Sequence, residues 1–244
     1  MPSAALSIRI GTSGFNYSSW KKIFYPSEVP ASKWFEYYCT HFNTVELNNT
    51  FYRFPLVKNL KKFYERSPEQ FVFSVKAHKI ITHTKRMKDA TDKVDEFLSV
   101  VHEGLAEKTG AVLFQLPPSF KYSDENLDSV LKSVPHNPQH VIEFRHESWW
   151  NDNVVNTLQQ NQLTFCSVSF PDLPNNLLKT TDVFYLRMHG VPELFKSSYT
   201  MSELKNITRK IPAGVKEVFV YFNNTMFEAG FTNALTLQNI FDAN

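Results

Sequence analysis

Val183-Phe-Tyr-Leu-Arg-Met-His-Gly190 opens on apolar residues and closes on charged ones. Side chains of an extended strand alternate between two faces. Phe184, Leu186 and Met188 therefore oppose Tyr185, Arg187 and His189. One face is apolar throughout, and the other grows more polar toward the C-terminal end of the run. His140-Val-Ile-Glu-Phe-Arg-His146 repeats the pattern, with Val141, Glu143 and Arg145 opposing Ile142, Phe144 and His146. Runs of this kind are read at 7–12, 43–48, 71–76, 111–116, 140–145, 164–169, 183–189 and 216–223. Helical patterns of crossover length separate most of them. In the 91–109 segment Val94, Phe97, Leu98, Val101 and Leu105 share a face, and Gly110 is read as its stop. The 123–134 segment repeats that spacing with Leu127, Val130, Leu131 and Val134. Thr200 and Glu203 form a capping-box pattern ahead of a stripe of Leu204, Ile207 and Ile211.

Strict βα alternation predicts a parallel sheet. An open sheet covered on both faces needs central strands that are apolar on both sides, and these are not. A strand with one apolar face and one face that turns polar at its C-terminal end suits a (β/α)8 barrel. Helices cover the outside of such a barrel, side chains fill the inside, and chemistry gathers at the C-terminal mouth. The expected fold is therefore α/β, a single (β/α)8 TIM-type barrel over residues 1–244. An irregular or shortened helical unit is expected after strand six, where Pro171 and Pro174 break any early helix.

Composition narrows the function classes. With 244 residues, 42% hydrophobic and 20% charged, the chain can bury one sizeable core. A net charge of +2 and a pI near 8.4 are too mild for a dedicated polyanion binder. Two cysteines, Cys39 in a helix and Cys166 on the expected outer face of strand six, make no disulfide framework. The N-terminal MPSAALSIRI has no leader pattern, and no apolar stretch reaches membrane-spanning length. A cytoplasmic protein without a membrane partner is the expectation.

Several segments also resemble a known family. They are Gly11-Thr-Ser-Gly-Phe15, Phe24-Tyr-Pro26, Thr44-Val-Glu-Leu-Asn-Asn-Thr-Phe-Tyr52, Phe71-Val-Phe-Ser-Val-Lys76, Ile81-Thr-His83, Phe114-Gln-Leu-Pro-Pro118, Glu143-Phe-Arg-His146, Arg187-Met-His-Gly190 and Tyr221-Phe-Asn-Asn-Thr225. In this order they resemble the YecE-like family, domain-of-unknown-function family seventy-two. The resemblance implies a TIM-type barrel and names no reaction. Phe15 stands where that family usually has Trp, and Ile23 where it usually has Gly.

Strand parity selects an inward set at the mouth: Glu46 and Asn48, Lys76 and His78, Gln115, Glu143 and Arg145, Ser169, Arg187 and His189, Tyr221 and Asn223. Lys76 is the expected partner of Glu46, and Arg145 that of Glu143. Three cations against two acids favour a small anionic ligand, phosphorylated or carboxylated, because arginine forks match such groups. Glu46, Glu143 and His189 are the candidate acid–base groups. Asn48, Lys76, Gln115, Arg145, Arg187, Tyr221 and Asn223 are the candidate ligand contacts. The expected activity is acid–base chemistry on a small anionic or sugar-like substrate. Two alternatives belong to other classes. One is a noncatalytic nucleic-acid or nucleotide binder using the basic 76–88 stretch and the loop aromatics Phe15, Tyr17, Trp20, Phe51, Tyr52, Trp149 and Trp150. The other is a structural barrel whose mouth is sealed by ion pairs. No cofactor is expected: the metal-motif spacings are missing, and only Glu46, Glu143 and His189 offer a divalent ion a place.

Overall fold

The computed structural model describes residues 6–243. Eight parallel strands make one sheet: β1 (Ser7–Thr12), β2 (Thr44–Leu47), β3 (Val72–Lys76), β4 (Thr109–Gln115), β5 (His140–Glu143), β6 (Thr164–Ser169), β7 (Val183–Met188) and β8 (Glu217–Phe222). Their order is β1-β8-β7-β6-β5-β4-β3-β2. The ring closes where Ser13 bridges Glu46 and the Gly14 N–H donates to the Glu46 carbonyl at 2.9 Å. A side chain at Gly11 would collide with the Thr44 carbonyl, so glycine lets β1 approach β2 this closely.

Helices α1 (Trp34–Cys39), α2 (Asn49–Tyr52), α3 (Val57–Arg66), α4 (Thr91–Leu105), α5 (Asp124–Ser133), α6 (Asp152–Gln160), α7 (Met201–Lys210) and α8 (Ala229–Asp242) surround the strands. The protein is thus a nearly closed TIM-type barrel. Thr200 forms the expected capping box with Glu203 at α7. Of its expected stripe only Leu204 is buried within the helix, and Ile211 already lies at its C-terminal cap. The helix read to 109 ends at Leu105, because Ala106 turns to φ 46°. Gly110 lies inside β4, where an added side chain would meet Val72, so it is a close-packing glycine and not a helix stop.

Two apolar clusters lie back to back. The large one packs helices on the outer strand faces, around residues such as Phe73, Phe97, Phe114, Phe144, Leu186 and Val220. The small one fills the barrel with Ala111, Leu113, Val141, Cys166, Val168, Val183, Tyr185, Phe219 and Tyr221. Inner parity follows the expectation on β5, β7 and β8 and reverses it on β6, where Cys166 and Val168 point inward. The reason lies in the connection that follows. Residues 170–182 form no helix, and that irregular chain needs hydrogen-bond partners on the outer face of β6. Ser167 Oγ accepts from Leu178 N of that connection at 2.9 Å, and Ser169 Oγ accepts from Tyr199 Oη of the segment after β7 at 2.8 Å. The serines that read as inward polar positions serve the outside.

The first βα loop is built of rings. Trp20 is fully buried, its Nε1 donates to the Phe227 carbonyl at 2.9 Å, and Tyr25 stacks on Trp34 at 4.5 Å. Neither cysteine forms a disulfide, and no helix among the described residues is long and apolar enough to cross a membrane.

Candidate functional site

The polar residues at the C-terminal end of the strands form two layers. The deeper one is built around Arg187, whose guanidinium spans the lumen. Its Nη2 donates to Glu46 Oε1 and its Nη1 to Glu143 Oε2, both at 2.7 Å. The remaining carboxylate oxygens are also occupied. Glu46 Oε1 accepts from Ser13 Oγ and Glu46 Oε2 from Tyr185 Oη, each at 2.7 Å, while Glu143 Oε1 accepts from Arg145 Nε. Glu46, Glu143 and His189 are 0% exposed and Arg187 1%. Two acids face two guanidiniums, so the layer is neutral and its ions are paired, as burial demands. Burial pushes the Glu143 carboxyl up, but Arg145 and Arg187 outweigh it and hold the group well below the usual carboxylate range. Burial and then Arg145 hold His189 well below the ordinary imidazole range. A guanidinium only donates, so Arg145 Nη2, 3.2 Å from His189 Nε2, makes that nitrogen the acceptor. The other ring nitrogen, Nδ1, lies 2.9 Å from the Asn223 side-chain Nδ2.

The shallower layer holds Lys76, Arg145, Asn223, Phe51 and Phe170. Lys76 ends β3, and its Nζ lies 4.3 Å from the centre of the Phe51 ring. Among the described residues its side chain forms no ion pair and no hydrogen bond. The Thr50 hydroxyl stands 2.6 Å from the Lys76 carbonyl, which seats α2, and with it Phe51, over the amine. Burial, then Arg187, brings the Lys76 ammonium down to about 7. Arg145 lies 4.3 Å from the Phe170 ring centre, and its Nη1 forms no hydrogen bond among the described residues. A cation beside an aromatic face with one edge unused is a ready receptor for a carboxylate or phosphate oxygen.

The structure gathers most of the candidate set and reassigns its partners. Glu46, Glu143, Arg145, Arg187, His189, Asn223 and Lys76 converge as strand parity requires. Glu46 pairs with Arg187 and not with Lys76, because Arg187 reaches across from β7. Tyr221 sits lower, its hydroxyl between Thr44 Oγ1 at 2.5 Å and Ser74 Oγ at 2.9 Å. Gln115 turns back, donating from Nε2 to the Leu116 carbonyl at 2.7 Å. Asn48 precedes α2 with a buried Oδ1 that has no hydrogen-bond partner. His78 leaves the mouth altogether, its ring packing on Phe54 at 5.4 Å. Ser169 is on the outside, as described above.

The aromatics and the basic stretch mostly serve packing. Phe15 packs on Phe35, Tyr17 on Trp20, Trp149 between Phe144 and Phe120, and Trp150 on Phe165. Phe51 and Tyr52 of the expected set remain at the rim, and Tyr17 sets its hydroxyl on the Ser13 carbonyl beside Glu46. Lys85 donates to the Asp89 carbonyl, Arg86 to the Ser119 carbonyl, and Lys88 pairs with Glu125. A divalent ion at Glu46, Glu143 and His189 does not fit this donor set, since arginines occupy both carboxylates. No cluster of metal-ligating residues occurs among the described residues.

Ser13, Tyr185 and Phe170 were not singled out in the sequence. Tyr185 shares the face of Arg187 and His189, so parity already selected it. Ser13 lies one step past β1, and Phe170 continues the inward series Cys166, Val168 that the serines disguised.

The model of the family described as "Protein of unknown function DUF72" matches residues 9–244. A DUF72 family protein of Thermotoga maritima has a crystal structure that superposes with a TM-score of 0.84 at 29% identity, covering 97% of this chain and 99% of that one. One from Enterococcus faecalis superposes with a TM-score of 0.75 at 22% identity, covering 98% and 99%, and supports the fold alone. Among curated proteins, UPF0759 protein YunF of Bacillus subtilis is 31% identical over 135 residues, 52% of this chain and 48% of YunF. UPF0759 protein YecE of Escherichia coli K12 is 31% identical over 116 residues, 47% of this chain and 42% of YecE. The chain thus matches about half the length of these curated relatives or less.

Proposed function

The chain belongs to the DUF72 family, and from that premise we propose an enzyme that binds a small carboxylated or phosphorylated molecule in the shallower layer of its mouth. Lys76 is the group that takes and returns a proton there. One observation carries the reading: Lys76 is the mouth's titratable cation without a counter-ion, beside an arginine with an unused edge. A general base works best with a pKa near the working pH, and a buried lysine is a familiar way to reach it. Glu143 and Glu46, the first candidates for the role, are fully paired counter-ions. Glu143 and His189 act on Arg145, holding its Nε and Nη2 so that Nη1 faces outward. They are positioning residues. The unpaired cysteines suit a reducing compartment, and we place the protein in the cytoplasm on that ground.

A second reading has its own support. The deeper layer is neutral, buried and fully cross-braced, as a structural seal would be. Titration with phosphate, citrate and sugar phosphates separates the two, with melting temperature as the readout. A ligand selective for the folded state must raise it once the ligand exceeds its dissociation constant. The enzyme reading expects a rise that Lys76→Met abolishes. A flat response at millimolar ligand leaves the seal.

A further inference from the structure

We propose that Lys76 is a nucleophile that condenses with the carbonyl of a small oxo acid, whose carboxylate is held by Arg145. The proposal rests on the anion-binding reading above and names its substrate class. Lysines become nucleophilic when they are desolvated against apolar surface or set beside another cation. Lys76 has both, with the Phe51 ring over its Nζ and Arg187 and Arg145 acting on its charge. Lys108, which is buried, shows the contrast. Lys108 Nζ donates to the Tyr64 and Ser67 carbonyls and to Ser67 Oγ at 2.8–3.0 Å, which leaves it a structural cation. The mouth also spaces the two functions. Lys76 ends β3 and Arg145 follows β5, with only β4 between them. An amine and a guanidinium so placed can meet the carbonyl and carboxylate ends of one short molecule.

The step balances without a further reactant. The Lys76 nitrogen lone pair attacks the carbonyl carbon, and the C=O π pair moves to oxygen. A proton passes from nitrogen to that oxygen, giving a carbinolamine. Protonation of the hydroxyl expels water as the nitrogen lone pair forms the C=N bond of a protonated imine. His83 is placed to carry the proton, since its ring packs on the same Phe51 at 4.9 Å and Lys76 acts on its charge.

The test is reductive trapping on the full-length chain at pH 7. Pyruvate is added with sodium cyanoborohydride, and adducts are mapped by peptide mass spectrometry. Lactate, which has the carboxylate but no ketone, is titrated in parallel by melting temperature at matched ionic strength. At pH 7 an amine with a pKa of about 7 is about half unprotonated, against well under about 1% for an ordinary lysine. The expected result is an adduct at Lys76 at least about tenfold above any other lysine, Lys108 included, and absent in Lys76→Arg. Stabilisation by lactate with pyruvate labelling all lysines alike would overturn the nucleophile and leave the anion site. No stabilisation by lactate, with propionaldehyde labelling Lys76 as readily as pyruvate, would instead overturn the anion reading and the oxo-acid class. Failure of both arms overturns both.

Discussion

Arg187 and Glu46 come from strands three places apart around the ring and meet at 2.7 Å, both buried from solvent. With Glu143 on its other nitrogen, Arg187 becomes a strut across the barrel. The strut makes the acids structural and leaves Lys76 and Arg145 as the outward-looking cations.

Glu143→Gln removes a buried charge and leaves two guanidiniums with one carboxylate. The fold is expected to lose about 3–5 kcal/mol, the usual cost of orphaning a buried ion. At roughly 2–4 °C per kcal/mol for a chain of this size, the melting temperature falls by roughly 6–20 °C. Calorimetry checks it, and a change of a degree or less would mean that Glu143 is not a counter-ion.

The same carboxylate gives an acid signature. Its folded pKa is depressed, so its contribution is present above the unfolded value of about 4.3 and lost as the pH falls below that toward the folded value. The stability difference between wild type and Glu143→Gln therefore shrinks in that acid window. Urea unfolding from pH 6 down to pH 3 measures it.

Lys76 acts with the same sign of slope in an alkaline window. Its folded pKa is lowered, so the unfolded chain binds more protons between about 7 and about 10.4, and folding stability rises with pH across that window. Wild type is expected to gain on Lys76→Met as the pH goes from 7 to 9.5. Equal pH dependence in the two proteins would contradict an uncompensated amine.

Tyr185→Phe takes one hydrogen bond from a buried carboxylate without altering the Arg187 strut. A loss of about 1.5–3 kcal/mol is expected, with phosphate binding unchanged, because Tyr185 lies in the deeper layer. Loss of binding at preserved stability would place the ligand deeper than this account does.

Much of this was legible in the chain. Alternation in β5 and β7 located Glu143, Arg145, Arg187 and His189, and parity on β2 and β3 located Glu46 and Lys76. Partner choice was not, because parity says which way a side chain points and not how far it reaches. Glu46 has Lys76 on the next strand, yet a guanidinium from across the lumen takes it. β6 misled for a different reason: hydroxyls look alike whether they face a site or brace a loop. Ser167 braces the helix-free 170–182 connection and Ser169 holds Tyr199 of the segment after β7, while Phe170 takes the inward place at the mouth.

The Lys76 side-chain amine can be titrated by NMR, using its own nitrogen or terminal carbon resonance, with and without phosphate. The expected midpoint lies near 7 and moves upward in phosphate, since an anion bound at the mouth favours the protonated amine. A midpoint near the ordinary lysine value of about 10.4, unmoved by phosphate, would contradict it.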